Sequence, residues 1–298
     1  MEQRKPLILE TGVPSIASYN DLLKSPLFHN MERYSDSFLN LNVDCLANYR
    51  NKWVADPFHS WSRQWEYPYV YLMIQKYIDN STNANEFKIL DVGSGVTFFP
   101  YYINLTFEKV TVDCCDFDND YIPIFSRINA NLNQNVKFHN MDMKKLELED
   151  NSYDIIYCIS VLEHTNDHES VLKEFHRVLK PNGSLILTFD ISIDGFADIS
   201  IDEAKELISL IEKYYTPLES MNPYDSLDKL SNSNQFLTTG YIKEINKSLL
   251  PWSYSISTLS QVVKNCFNYS MILKTVNRIK HPNPNLTIYC NQYKKIDV

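Results

Sequence analysis

The chain has 298 residues, 44% of them hydrophobic, with a formal net charge of −9 and a pI near 5.3. That length supports a sizeable core in one or two domains. The acidic balance argues against a surface that grips a phosphate backbone and against a polybasic membrane patch, since both concentrate Lys and Arg.

In chain order, residues 14–80 read as helical and rich in aromatics. The stretch "SDSFLNLNVDCLANYRNKW" spaces Phe38, Leu39, Leu41, Leu46 and Tyr49 for a helix, with Ser35 or Asp36 as its cap. A second helix runs from about Glu66 to the turn "NSTN". Trp61, Trp65, Tyr67 and Tyr69 read as packing groups rather than as a platform for bases. From Phe87 strands and helices alternate. "FKILDV", "KVTVDCCDFD", "NVKFHNMD", "YDIIYCIS" and "SLILTFDIS" read as strands, and "HESVLKEFHRVLK" as an amphipathic helix ended by Pro181 and Gly183. This cadence predicts βαβ units and a parallel sheet. It breaks over 193–251, too long for an ordinary connection. That segment holds one clear helix, capped by Ser200 with Glu203, whose apolar stripe is Ala204, Leu207, Ile208 and Ile211. "TLSQVVKNCF" then reads as a helix, and "SMILKTV" and "NLTIYCNQYKK" as strands.

The apolar run at Pro6–Leu9 is too short for a signal-peptide core, and no stretch approaches the ~18 apolar residues of a membrane span. Cys45, Cys114, Cys115, Cys158, Cys266 and Cys290 show no C-x-x-C spacing. They are expected to be buried free thiols of a cytoplasmic protein.

Chemistry concentrates at "ILDVGSGVTFFP", Ile89–Pro100, where Gly93 and Gly95 follow an apolar strand. A dinucleotide fingerprint would need a third glycine at position 98, which is Phe98, and no Gly-Lys-Ser/Thr of a phosphate loop follows. Asp91 would repel a pyrophosphate, but it suits a ligand that carries an ammonium and a sulfonium. Asp113 and Asp116 lie about 20 residues beyond the glycines, where an acid meets a ribose. Asp116 is preferred because "DFDNDYI" leads from it into a helix. An acid here also serves dinucleotide folds, so it does not discriminate. Asp142 can accept from an adenine amino group while the Met143 backbone meets the ring.

These motifs in order, from Phe87 to Asp190, closely resemble the class I S-adenosylmethionine-dependent methyltransferases, in the small-molecule (type 11-like) branch. The family's third turn glycine falls at Thr97, and its usual PGG reads Pro181-Asn182-Gly183. The resemblance implies a Rossmann-like α/β fold: a seven-stranded, mostly parallel sheet with an antiparallel last strand, a helical N-terminal lid (1–80) and a core (81–298) in which 193–251 is a lid inserted after the fifth strand. It places S-adenosyl-L-methionine at Asp91, Gly93, Ser94, Gly95, Asp116, Phe117, Asp142, Met143 and Ser160, with Arg63 pairing the cofactor's carboxylate. His164 is the expected general base, its ordinary pKa suiting proton removal at neutral pH, and His59 is a lesser candidate. A related subgroup binds a divalent metal through Glu-x-x-Glu-His. Here the first glutamate is Ser160, so no metal is expected. The implied activity is methyl transfer to a small-molecule acceptor, with oxygen favoured over nitrogen or carbon, and without nucleic-acid or membrane partners. A protein or nucleic-acid methyltransferase, a non-catalytic cofactor binder and an oxidoreductase with a degenerate motif are the alternatives.

Overall fold

Among the described residues, four helices precede the first strand. Ser15 caps α1 (Ile16–Leu23) by accepting from the Ser18 N–H, and Ser25 caps α2 (Pro26–Leu41) by accepting from that of Phe28. The cap expected at Ser35 or Asp36 is not a cap: Ser35 is buried within α2. The signal that decides is Ser25-Pro26, a capping hydroxyl followed by a residue preset for the first helical turn. α3 (Val43–Arg50) and α4 (Arg63–Asp79) follow. The computed structural model describes residues 7–50, 58–81, 86–219, 222–230, 234–250 and 284–296. The helix and strand expected at 258–267 and 270–276 lie outside the described residues.

The strands are β1 (Phe87–Val92), β2 (Val110–Asp116), β3 (Lys137–Asn140), β4 (Tyr153–Ile159), β5 (Leu179–Ser192), β6 (Ile199–Ser200), β7 (Tyr215–Pro217) and β8 (Leu286–Lys295). They form one sheet in the order β3-β2-β1-β4-β5-β8-β7, with the two-residue β6 beside β5. β1 to β5 are parallel, and β8 runs antiparallel between β5 and β7. The described sheet therefore has eight strands where the family resemblance implied seven. One edge comes from Tyr215–Pro217, within the segment read as an inserted lid. At the start of β5 the Pro181-Asn182-Gly183 turn shifts the register against β4, and Asn182 takes a left-handed φ of +63°.

Period-two alternation sorts the strand residues between two cores. Ile89, Cys114, Ile155, Tyr157 and Ile186 face α4, α5 (Phe99–Thr106) and α6 (Tyr121–Leu132). Leu90, Cys115, Ile156, Cys158 and Leu187 face α7 (His168–Val178) and α8 (Ile201–Ile211). Trp61, Trp65, Tyr67 and Tyr69 are all buried in the first core. α8 buries the expected stripe of Ala204, Leu207, Ile208 and Ile211 against α7 and the sheet, so this part of the segment belongs to the sheet's cover. Its capping box is formed in both directions, by Ser200 and Glu203. Ser200→Ala is expected to cost about 1 kcal/mol, read as a lower urea midpoint at unchanged slope.

Candidate active site

The carboxyl ends of β1 and β4 lie side by side where the chain order of the sheet reverses, the place at which open α/β sheets bind ligands. Asp91 pairs in register with Tyr157, so carboxyl and phenol share a face. Asp91 is only 5% exposed. Burial pushes its carboxyl up to about 8, opposed by the neighbouring Tyr157 phenol and reinforced by the charge of Asp116. Such a group is mostly protonated at neutral pH, and a cation beside it would draw the proton off.

The turn after β1 is a cradle that side chains would fill. Gly93 and Gly95 have φ of +71° and +52°. The N–H groups of Gly93 and Ser94 donate to the Cys115 carbonyl at 2.9 and 3.1 Å, and that of Gly95 donates to Asp116 Oδ2 at 3.0 Å. The turn is thereby tied to the tip of β2. A Cβ on Gly93 would lie 2.6 Å from a Val161 methyl, and one on Gly95 would lie 2.6 Å from the Tyr49 hydroxyl.

Asp116 shares this edge. Burial raises its carboxyl against the pull of the Gly95, Asp118 and Phe117 N–H groups. Its backbone carbonyl accepts from the Met141 N–H at 3.0 Å, which brings the end of β3, with Asp142 and Met143, beside it. Asp142 is exposed and Met143 half-buried. Phe117 is 77% exposed, an aromatic face left open next to Asp116. Asp113 points to the opposite core, where it accepts from the Tyr153 hydroxyl at 2.7 Å and pairs with His139 and Lys88. Burial would raise its carboxyl, but these partners outweigh it and the net shift is downward.

The tips of β4 and β5 meet the first turn of α4. Ser160 is buried, with a left-handed φ of +47°. Its hydroxyl receives Arg63 Nη1 at 2.6 Å and donates to Glu66 Oε1 at 2.7 Å. Thr188 of β5 donates to the same oxygen at 2.5 Å, and Arg63 Nη1 also pairs with Glu66 Oε2. Burial alone would lower the Arg63 pKa, yet the neighbouring Glu66, Tyr67 and Asp190 raise it overall. The guanidinium stays charged, and among the described residues its Nε and Nη2 make no hydrogen bond.

Beyond Ser160 a single 3-10 turn (Leu162–His164) carries Glu163 and the expected base, His164. Glu163 is buried, and its Oε1 accepts from the Asp190 N–H at 3.2 Å. Burial, then the charges of Asp190 and Asp198, push its carboxyl well above the usual range. His164 has a half-exposed ring whose Nδ1 lies 3.9 Å from Asp198 Oδ1. His59 instead lies 3.5 Å from Glu32 Oε1. Among the described residues no cluster of His, Cys, Asp or Glu has the arrangement of a metal site.

Tyr49, Glu66, Thr188, Asp190 and Asp198 were not singled out from the sequence. Glu66 alone carried a local signal, its i+3 spacing from Arg63 on one helical face. Tyr49, from α3, accepts a hydrogen bond from the Val96 backbone. Burial first, then the Asp116 charge, push its phenol up to about 12, so it remains protonated. A separate cavity of about 470 Å³ lies at the far end of β5, lined by Ile16, Ile193, Phe236, Tyr241, Leu250 and Asn285 among others. None of the residues around the glycine turn line it.

The buried carboxyl and the glycine cradle can take a cationic adenosine derivative, and the fold is the Rossmann-like one of S-adenosylmethionine-dependent methyltransferases. Residues 90–187 match the family described as methyltransferase domain. Similar proteins include phosphoethanolamine N-methyltransferase 3 of Arabidopsis thaliana, 31% identical over 101 residues, 34% of this chain and 20% of that one. The tRNA U34 carboxymethyltransferase of Sulfurimonas denitrificans is 23% identical over 185 residues, 59% of each protein. The chain thus spans less than two thirds of both relatives. The crystal structure of the cyclase SpnF superposes with a TM-score of 0.51 at 15% identity, over 76% of this chain and 81% of that one, a likeness of fold.

Proposed function

We propose that this protein transfers a methyl group from S-adenosylmethionine to the hydroxyl of a small molecule. The observation that carries the reading is the buried, proton-holding Asp91 beside a turn where only glycine leaves room. When bound, the cofactor supplies a methyl already activated by its sulfonium. Asp91 meets its cationic amino-acid end, and Arg63 with the Ser160 backbone meets its carboxylate end. Gly93, Ser94 and Gly95 offer a close backbone. Asp116 accepts from ribose hydroxyls, while Phe117, Asp142 and Met143 serve the adenine.

His164, backed by Asp198, takes the acceptor's hydroxyl proton. The helices of 1–80 and the segment 193–251 exclude water and shape the acceptor site. The buried free thiols among the described residues accord with a cytoplasmic setting. No described helix is long and apolar enough to cross a membrane.

The test is release of S-adenosylhomocysteine in the presence of panels of alcohols and phenols, of amines, and of tRNA. Release with a hydroxyl panel member is expected, and release with amines or tRNA alone would overturn the reading. The relative named for tRNA makes a nucleic-acid acceptor the second reading, against which the net charge of −9 counts. With a hydroxyl acceptor, His164→Gln is expected to lower kcat about 10²-fold or more, at unchanged S-adenosylhomocysteine affinity.

A further inference from the structure

Glu66 has no place in the chemistry described so far, yet it is among the most enclosed charged groups in the protein, fully buried on the first turn of α4. Burying a carboxylate is costly unless hydrogen bonds and an opposite charge compensate it. Here the compensation comes from three elements. Arg63 comes from α4 itself, Ser160 from the left-handed residue after β4, and Thr188 from β5. All three ligands converge on one carboxylate, and that carboxylate holds only Nη1 of Arg63. Among the described residues, Nε and Nη2, the edge of the guanidinium suited to a forked contact with a second carboxylate, are left over.

We propose that Glu66 is a positioning residue for cofactor recognition, and that cofactor binding is divided between two parts of the chain. The adenosine end is read by the sheet core, at the glycine turn and Asp116. The amino-acid end is read by α4, and only while Glu66 is seated on Ser160 and Thr188. The inference rests on the assignment of Arg63 to the cofactor's carboxylate. Charge supports it: paired with Glu66, Arg63 adds no net charge. Asp91 is then left as the countercharge to a cofactor whose sulfonium and ammonium outnumber its carboxylate. An arginine without Glu66 would add a repelling cation in a partly dry site.

The test uses the full chain and two ligands, S-adenosylhomocysteine and methylthioadenosine, which lacks the amino-acid portion. Glu66→Gln is expected to weaken S-adenosylhomocysteine binding about ten-fold or more and to leave methylthioadenosine within about two-fold, the loss expected when a hydrogen bond to a charged group is misplaced. Thr188→Val removes one support without touching the ligand. It is expected to weaken S-adenosylhomocysteine alone, about three-fold, and it decides the question should the Glu66 variant fail to fold. Equal losses for both ligands would show a merely structural role, and no loss for either would show no role; each overturns the proposal. Wild-type protein that binds neither ligand would instead overturn the methyl-transfer reading beneath it.

Discussion

Asp91→Asn is expected to weaken S-adenosylhomocysteine binding about ten- to hundred-fold, the range for losing a charged hydrogen bond. It is also expected to abolish a proton release that wild-type protein shows on binding. With its carboxyl near 8, Asp91 holds a proton at pH 7, and a ligand ammonium favours the ionised form. Wild-type affinity should therefore rise with pH and level off above about 8. Calorimetry in buffers of different ionisation enthalpy reads the proton directly. A pH-independent affinity, or one unchanged by Asp91→Asn, would remove the electrostatic basis of the assignment. The same group has a stability signature of definite sign. Its folded pKa lies above its ordinary value of 3.8, so the native state binds more protons between those two values. Its contribution is full below about 4 and is lost as pH rises through about 8. Without ligand, Asp91→Asn should consequently melt higher than wild type above pH 8, while binding less.

Gly93→Ala carries the second large effect, and Gly195→Ala is its control. Both glycines have a φ of +71°. A Cβ at 195 meets nothing within 4 Å, so that variant reports backbone strain alone, about 1–2 kcal/mol. At 93 the new carbon falls 2.6 and 2.7 Å from two Val161 methyls. The loops after β1 and β4 must then separate, adding about 1–3 kcal/mol of overpacking. Because Ser160 precedes Val161, this displacement also disturbs Arg63, and cofactor binding should be lost together with stability. Equal denaturant midpoints for the two variants would show that the loops are not in tight contact.

Much of this arrangement was legible in the amino-acid order. Strand and helix identity from Phe87 to Ser192, the α8 cap and stripe, and the glycine turn with Asp91 and Asp116 depend on residues near one another in the chain. Local periodicity, caps and positive-φ positions leave their mark there directly. The helix start at Ser25 was equally local, and the Ser-Pro signal marks it. The turn that follows Asp116 distinguishes it from Asp113, and the alternation of the strand places the two carboxylates on opposite faces of β2.

Other features arise only when distant segments meet. Glu66 gains Ser160 and Thr188 from 94 and 122 residues away. Tyr49 reaches Gly95 because α3 packs against α6 and the turn, and Asp198 comes to His164 through the chain that follows β5. The rise of Asp91 to about 8 depends on how completely its neighbours exclude water. Tyr215–Pro217 is a sheet edge only because β8 returns antiparallel and presents an unpaired rim to it. No local pattern encodes such partners, because a buried side chain's hydrogen bonds and charge state are set by the packing of elements whose order in space differs from their order in the chain.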